Sequence, residues 1–405
     1  MLAAVVFYSQ PVEAEVRAGV AKEIFTLPAK VPLAGYSRRH GEPSTGVHDP
    51  AGVRALVLQD GDTVAVLASC DLLIIDERLF EAVRRRLDDL GVSGPMTLLL
   101  AATHTHSGPG AYGTKFFEKL SMGHFDPEVS QAIIQTIAET IVRASRTLAP
   151  VRVASAVAVT DGLVQNRVEE GGPTDRDATV IGLYRDADRD PMAVLVSFAA
   201  HPTTLGAWNT QLSADYPGVL RQAIEQRWPQ ATAFFVAGAV GDQAPMKSGE
   251  AFERAERIGH PLADRAIEAL SGATPGEAAR LLAAQTRMPL PPARIRLGRF
   301  TLPRWMGRRL VDDDATLTVL SVGRTAFFGV PCDLAAGLGA QLKASARARG
   351  LEPVIVGFAS DYIGYCVPER MYHEKAYESS MAFNGPKTGE LVVEGLSKLL
   401  DGLLK

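Results

Sequence analysis

Met96-Thr97-Leu98-Leu99-Leu100-Ala101-Ala102-Thr103-His104-Thr105-His106-Ser107-Gly108-Pro109-Gly110 decides how this chain is read. The apolar run that opens it follows Gly94-Pro95, the pattern of a buried strand. That strand leads directly into two histidines. In an extended chain residues i and i+2 share a face, so His104 and His106 are expected to project together from the strand end. Ser107-Gly108-Pro109-Gly110 then turns the chain aside and leaves space beside the rings. Two imidazoles on one face suit a metal ligand beside a proton-transfer group. Two hydrogen-bonded histidines at a strand end are the plainer alternative, because His-x-His is a short pattern.

On either side of this stretch, apolar runs alternate with amphipathic ones. Residues 55–59 and 64–68 form a hairpin signal around Asp60-Gly61. A helix is expected from about Asp76, with Leu79, Phe80, Val83, Leu87 and Leu90 on one face and Gly91 as its stop. Asp126-Pro127 opens another, striped by Ile133, Ile134, Ile137 and Ile141. Further strands are expected at 18–26, 151–159, 178–184, 192–200, 231–236 and 354–358, with a second hairpin over 317–330. Helices are expected from the start signal at 213–217 to about 226, at 250–270 with a kink or split at Pro261, at 334–348 and at 391–404. The Pro/Arg-rich residues 289–303 read as a surface excursion. This order predicts an α/β fold: a mixed central β-sheet core flanked by helices, in a single large domain over 16–405.

Hydrophobic residues at 46% and charged residues at 22% describe an ordinary globular protein. A formal charge of −4 leaves no basic footprint for nucleic acid. No apolar run reaches the roughly 18 residues of a transmembrane segment. Residues 1–15 read as an N-terminal extension or as the remnant of a signal peptide. In the second case the protein would be secreted or periplasmic, otherwise cytoplasmic. Cys70, Cys332 and Cys366 sit in apolar surroundings and read as buried free thiols. Oligomeric state has no sequence signature here.

More polar residues stand where strands end or helices begin. The run 192–200 ends on His201-Pro202, which repeats the strand–histidine–breaker pattern of the opening stretch. The run 325–330 is followed by Asp333, in isolation best read as a helix N-cap. Asp71 and Asp215 are either helix-start acids or partners for histidine N–H groups. Gly35-Tyr36 is a turn or brings a backbone N–H to a site, and Arg167 lies in a polar loop where solvation is the default. The glycines of Gly238-Ala239-Val240-Gly241-Asp242 do not match a nucleotide-binding loop. In α/β folds, sites collect where strand ends meet loops. Nitrogen and oxygen donors without paired cysteines suit zinc.

The segment 102–110 resembles the hallmark of the neutral/alkaline, non-lysosomal ceramidases. Similar pieces recur in the family's order: Gly35-Tyr36-Ser37, Gln165-Asn166-Arg167, Ala200-His201-Pro202, Ser213-Ala214-Asp215-Tyr216-Pro217-Gly218, Val240-Gly241-Asp242, Tyr365 through Tyr377-Glu378, and Asn384-Gly385-Pro386. The resemblance implies a zinc-dependent hydrolase that cleaves the amide bond of N-acyl substrates such as ceramide, releasing a sphingoid base and a fatty acid. It implies Zn2+ ligands at His104, His201, Asp333 and Tyr365, with aspartate standing where the family has glutamate. It implies catalytic roles for His106, Arg167 and Tyr377. The serine that the family carries near the Gly-Asp segment has Gly238 and Ala244 in its place. The chain is expected to lack the family's C-terminal immunoglobulin-like module, and its loops are short. An amidase or esterase for a smaller polar substrate, or a metal-free binding protein on the same fold, are the alternatives.

Overall fold

Neighbouring side chains along the central strands serve two different cores. In one strand Val57 packs with the helices, while Leu56 and Leu58 face the other way. Leu98 and Leu100 do the first and Leu99 and Ala101 the second. A strand whose two faces are both buried reads as a continuous apolar run, which is why these segments lack polar alternation. The structure, a computed structural model, describes residues 15–405 apart from 93, 187, 279, 298–299, 302–306 and 308–309. The signal-remnant reading of residues 1–14 therefore lies outside the described residues.

The large sheet is mixed and nine-stranded. Its strands are β1 (Arg17–Ile24), β2 (Gly52–Asp60), β3 (Thr63–Cys70), β4 (Met96–Ala102), β5 (Ala149–Val159), β6 (Asp177–Arg185), β7 (Ala193–Phe198), β8 (Thr232–Ala237) and β9 (Gly276–Glu277). Their order is β8-β7-β6-β5-β1-β2-β3-β4, with β9 paired to β5. The β7–β8 and β3–β4 pairs are parallel and the rest antiparallel. A second, four-stranded sheet follows the order β10 (Leu281–Pro289), β11 (Asp314–Val322), β12 (Thr325–Val330), β13 (Glu352–Gly357).

The two sheets stack face to face. Leu56, Leu67, Leu99, Leu195 and Phe234 of the first meet Leu320, Phe327, Val354 and Val356 of the second. Helices α1 (Glu77–Asp89), α3 (Pro127–Ser145), α4 (Tyr216–Arg227) and α5 (Glu253–Ser271) cover the outer face of the large sheet. Helices α6 (Ala336–Arg347) and α7 (Thr388–Leu403) cover the small one. The short α2 (Phe116–Met122) stands apart, beside the cleft described below. The α/β class with a large mixed sheet holds, and the second sheet adds a buried layer that the sequence reading folded into the first.

Local signals mostly land where they are expected. Asp76 caps α1 by accepting from the Leu79 N–H, and Asp126 caps α3 through Glu128. Pro261 lies inside α5 without splitting it. The stretch 289–303 is not simply a surface excursion: Leu290, Ala293 and Ile295 are buried, and the Arg296 guanidinium lies 4.0 Å over the Tyr372 ring. Residues 298–299 and 302–303 of that stretch fall outside the described ones. All three cysteines are free and buried.

One seam positions the site. Beyond β13 the chain crosses to the large sheet, where Ala359 bridges Ala101 and the Ser360 N–H donates to the Leu100 carbonyl at 2.7 Å. This brings the loop after β13 against the end of β4, beside the end of β7.

Candidate metal centre

His104 does not continue its strand. Its φ is 65°, a left-handed conformation that costs a non-glycine residue roughly 1–3 kcal/mol. Strand alternation therefore does not aim the two rings, contrary to the extended-chain expectation. Backbone hydrogen bonds from Thr103 to Cys70 O (2.7 Å) and from His104 to Leu72 O (3.0 Å) hold the reversed segment to the end of β3. The rings still meet, with the Nε2 atoms of His104 and His106 3.2 Å apart.

The hydrogen-bond partners set the tautomers of two rings. His104 Nδ1 lies 2.6 Å from the Leu73 carbonyl, and His201 Nδ1 lies 2.8 and 3.0 Å from the carbonyls of Val240 and Gln243. A carbonyl only accepts, so each Nδ1 carries the ring proton and each Nε2 presents a lone pair. Asp333 Oδ1 stands 3.0 Å from His201 Nε2 and 3.8 Å from His104 Nε2. Neither nitrogen has a proton to give it, and Oδ1 is a buried oxygen with no hydrogen bond. The Tyr365 hydroxyl lies 3.5 Å from the same His201 nitrogen. Lone pairs from two imidazoles and a carboxylate thus converge beside a phenol, a donor set that fits a cation.

One ring nitrogen from each of His104, His106 and His201 lies within 4.8 Å of the others, so this cluster could hold a metal ion. Burial keeps the imidazoles neutral, the form that binds metal: His104 is pushed down to about 3, opposed by the Asp333 charge, and His106 and His201 fall well below the usual value. Burial likewise raises the Asp333 carboxyl. His106 differs from the other two rings. Its Nδ1 is buried without a partner, so no carbonyl fixes its tautomer. Gly35 makes room for it, since a Cβ there would come within 2.6 Å of the ring.

Several open alternatives resolve. Asp333 is not a helix N-cap: it lies in a short strand, Asp333–Leu334, paired with Tyr365–Cys366. The N-terminus of α6 is served instead by Asp242, whose Oδ1 accepts the Ala336 N–H at 2.8 Å. Gly241 permits this approach, because a Cβ would meet the Asp333 carbonyl at 2.7 Å. Asp71 and Asp215 do not hold the histidines. Asp71 forms a bidentate pair with Arg221 at 2.8 and 2.9 Å, and Asp215 accepts from Thr204, Leu205 and Tyr216. The Gly35 N–H donates to Ser121 O, so the loop lends shape rather than a free donor.

Arg167 is not a solvated loop residue. Its Nη2 donates to the Tyr365 hydroxyl at 2.8 Å and to Gly241 O at 3.0 Å, and its Nε faces Glu378 Oε1 at 2.8 Å. Tyr377 lies further out: 61% exposed, its ring centre is 5.7 Å from that of Tyr365. Two residues escaped the sequence reading. Tyr362 donates its hydroxyl proton to Asp333 Oδ2 at 2.8 Å, and Phe358 stacks flat under His104 at 3.7 Å. The tyrosine-rich loop advertised aromatic density, but no spacing rule singles these two out.

The cluster opens into a cavity of about 290 Å3. Its walls are mostly apolar, with Leu73, Ile74, Phe117, Met122, Val311 and Phe383 facing inward, and Tyr377 at the side.

A profile of the family described as neutral/alkaline non-lysosomal ceramidase, N-terminal, matches residues 17–258, more than half of the chain. The chain belongs to this ceramidase family. It is 27% identical over 278 residues to the neutral ceramidase of Mycobacterium tuberculosis, covering 60% of this chain and 44% of that protein. It is 33% identical over 128 residues to the neutral ceramidase of Pseudomonas aeruginosa, covering 31% of this chain and 19% of that one. The chain therefore matches less than half the length of these curated ceramidases. The crystal structure of the Pseudomonas aeruginosa neutral ceramidase superposes with a TM-score of 0.83 over 95% of this chain and 74% of its own, at 21% identity. A ceramidase complexed with C2 gives 0.84 over 97% and 76%, at 20% identity. Both share the fold. The family match ends before Asp333, Tyr365 and Tyr377, yet folding brings the first two to the histidines and the third to the cleft wall.

Proposed function

We propose that this chain is a zinc-dependent amidohydrolase that cleaves the amide bond of an N-acyl, ceramide-like lipid, with residues 16–405 as its catalytic unit. The observation that carries the reading is the convergence of two carbonyl-locked imidazoles and an unpaired carboxylate oxygen at the base of an apolar cleft. His104, His201, Asp333 and Tyr365 would hold the ion. When bound, zinc acidifies a coordinated water and polarises a carbonyl.

The chain's own groups supply the rest. The apolar walls take the acyl chain, and the cleft leads its amide to the histidines. His106, with its Nδ1 free, accepts the proton of the attacking water and returns it to the nitrogen as the C–N bond breaks, releasing amine and carboxylic acid. Burial raises the Tyr365 phenol well above its usual value; Arg167, donating to its oxygen, opposes that shift, while Glu378 keeps the guanidinium in place. Tyr377, on the cleft wall, would donate to the oxygen on which charge develops.

The test is metal analysis after zinc-supplemented expression, combined with fatty-acid release from a short-chain fluorescent ceramide. About one zinc per chain, lost in His104→Ala, and measurable release are expected. Zinc-free protein, or a zinc protein that releases no fatty acid from ceramides or simpler N-acyl amides, would overturn the reading.

A further inference from the structure

The carboxylate of Asp333 is held on one side only. Oδ1 faces the imidazoles without a hydrogen bond, and Oδ2 accepts from the Tyr362 hydroxyl at 2.8 Å. The side chain is fully buried, and an aspartate can rotate within its pocket to exchange its two oxygens. Only a donor on one oxygen decides which of them meets the nitrogen pair. Tyr362 is that donor. Its ring also lies 6.2 Å from Phe358, at 29°, and Phe358 in turn stacks on His104 at 3.7 Å. One tyrosine thus touches the acidic donor through its hydroxyl and backs the shelf under an imidazole through its ring.

We infer that Tyr362 is a positioning residue for the metal centre: its hydroxyl fixes Asp333 with a single oxygen turned to the ion. The inference rests on the proposed zinc site and adds to it a residue that neither binds the ion nor handles the reacting proton. Groups that orient metal ligands in this way typically contribute about 10–100-fold in affinity. The backbone supports the placement. The Tyr362 N–H donates to Asp361 Oδ1 at 2.7 Å, and Asp361 Oδ2 accepts the Thr316 N–H at 3.3 Å, so the loop is tied to β11 from below.

The experiment is competitive zinc titration against a chromophoric chelator, on the full chain, for wild type and Tyr362→Phe. The substitution keeps the ring and removes one hydroxyl. Zinc affinity is expected to fall about 10–100-fold. At saturating zinc, kcat should drop with KM little changed, because the hydroxyl points at Asp333 and not at the substrate. Tyr362→His, which retains a ring N–H donor, is expected to recover part of the affinity. Melting in excess chelator separates a structural role: lower metal-free stability with unchanged zinc affinity would overturn the inference. Failure of both variants to fold would do the same, since it would make Tyr362 a folding residue. Wild type that takes up no zinc would instead remove the proposed site itself.

Discussion

At the scale of single residues, the centre turns on which protons are fixed. His104 and His201 give their Nδ1 protons to carbonyls, whereas no carbonyl fixes the tautomer of His106, whose Nδ1 is buried without a partner. His106→Ala should therefore keep the zinc and lose about 10²–10⁴ in kcat, the usual share of general acid–base catalysis. Loss of metal with the activity would make His106 a ligand. Asp333→Asn separates binding from folding. Burial disfavours the charged carboxylate, and an asparagine N–H could donate to the imidazole lone pairs that the carboxylate faces. In chelator the variant should melt no lower than wild type, yet bind zinc weakly and turn over no substrate. A metal-free melting temperature clearly below wild type would contradict this account. The sequence carried the donor types and their strand-end positions. It did not carry the left-handed turn at His104, since nothing in Thr-His-Thr-His distinguishes that turn from a continuing strand. It also favoured a cap at Asp333, because an acid just before a helix usually is one; the cap that exists, Asp242, is far away in sequence and visible only in three dimensions.

At the scale of elements, the cleft wall α2 rests on a buried acid. Glu118 Oε2 accepts the N–H groups of Thr114 and Lys115, each at 2.7 Å. Burial, with the nearby Asp76 charge adding to it, raises its carboxyl from 4.5 to about 7. The folded state then holds this proton more tightly than the unfolded chain does. Its contribution to stability is complete below pH 4.5 and is lost as the pH rises to about 7. Glu118→Gln should flatten the fall of melting temperature between pH 4.5 and 7. An unchanged slope would show that other groups carry it. Helices and buried strands were readable because caps and periodicity are local. The strand Leu281–Pro289 was not: it sits at the sheet edge, and Gln285, Thr286 and Arg287 give it no apolar signature.

At the scale of the whole molecule, the two stacked sheets meet at close quarters. A Cβ on Gly329 would come within 2.4 Å of Leu99 Cδ1, across the buried layer. Gly329→Ala should destabilise by about 1–3 kcal/mol through overpacking. Leu99→Ala in the same chain should recover part of that loss, measured by denaturant unfolding; purely additive losses would show that the sheets do not touch there. Their number could not be read from the sequence, since a strand buried on both faces looks the same whether helices or another sheet cover it. The crossing of Ala359 to Ala101 has a further consequence, concerned with time rather than space. A growing chain exposes its N-terminal half first, at about 5–20 residues per second. His104 and His201 emerge first, and the carboxylate of Asp333 and the phenol of Tyr365 follow more than 130 residues later. Until then the nascent protein owns half a cradle, two imidazoles without the sheet that completes them. Loading with an ion would thus wait for the second sheet, and the later segment would decide whether the earlier histidines become a centre at all.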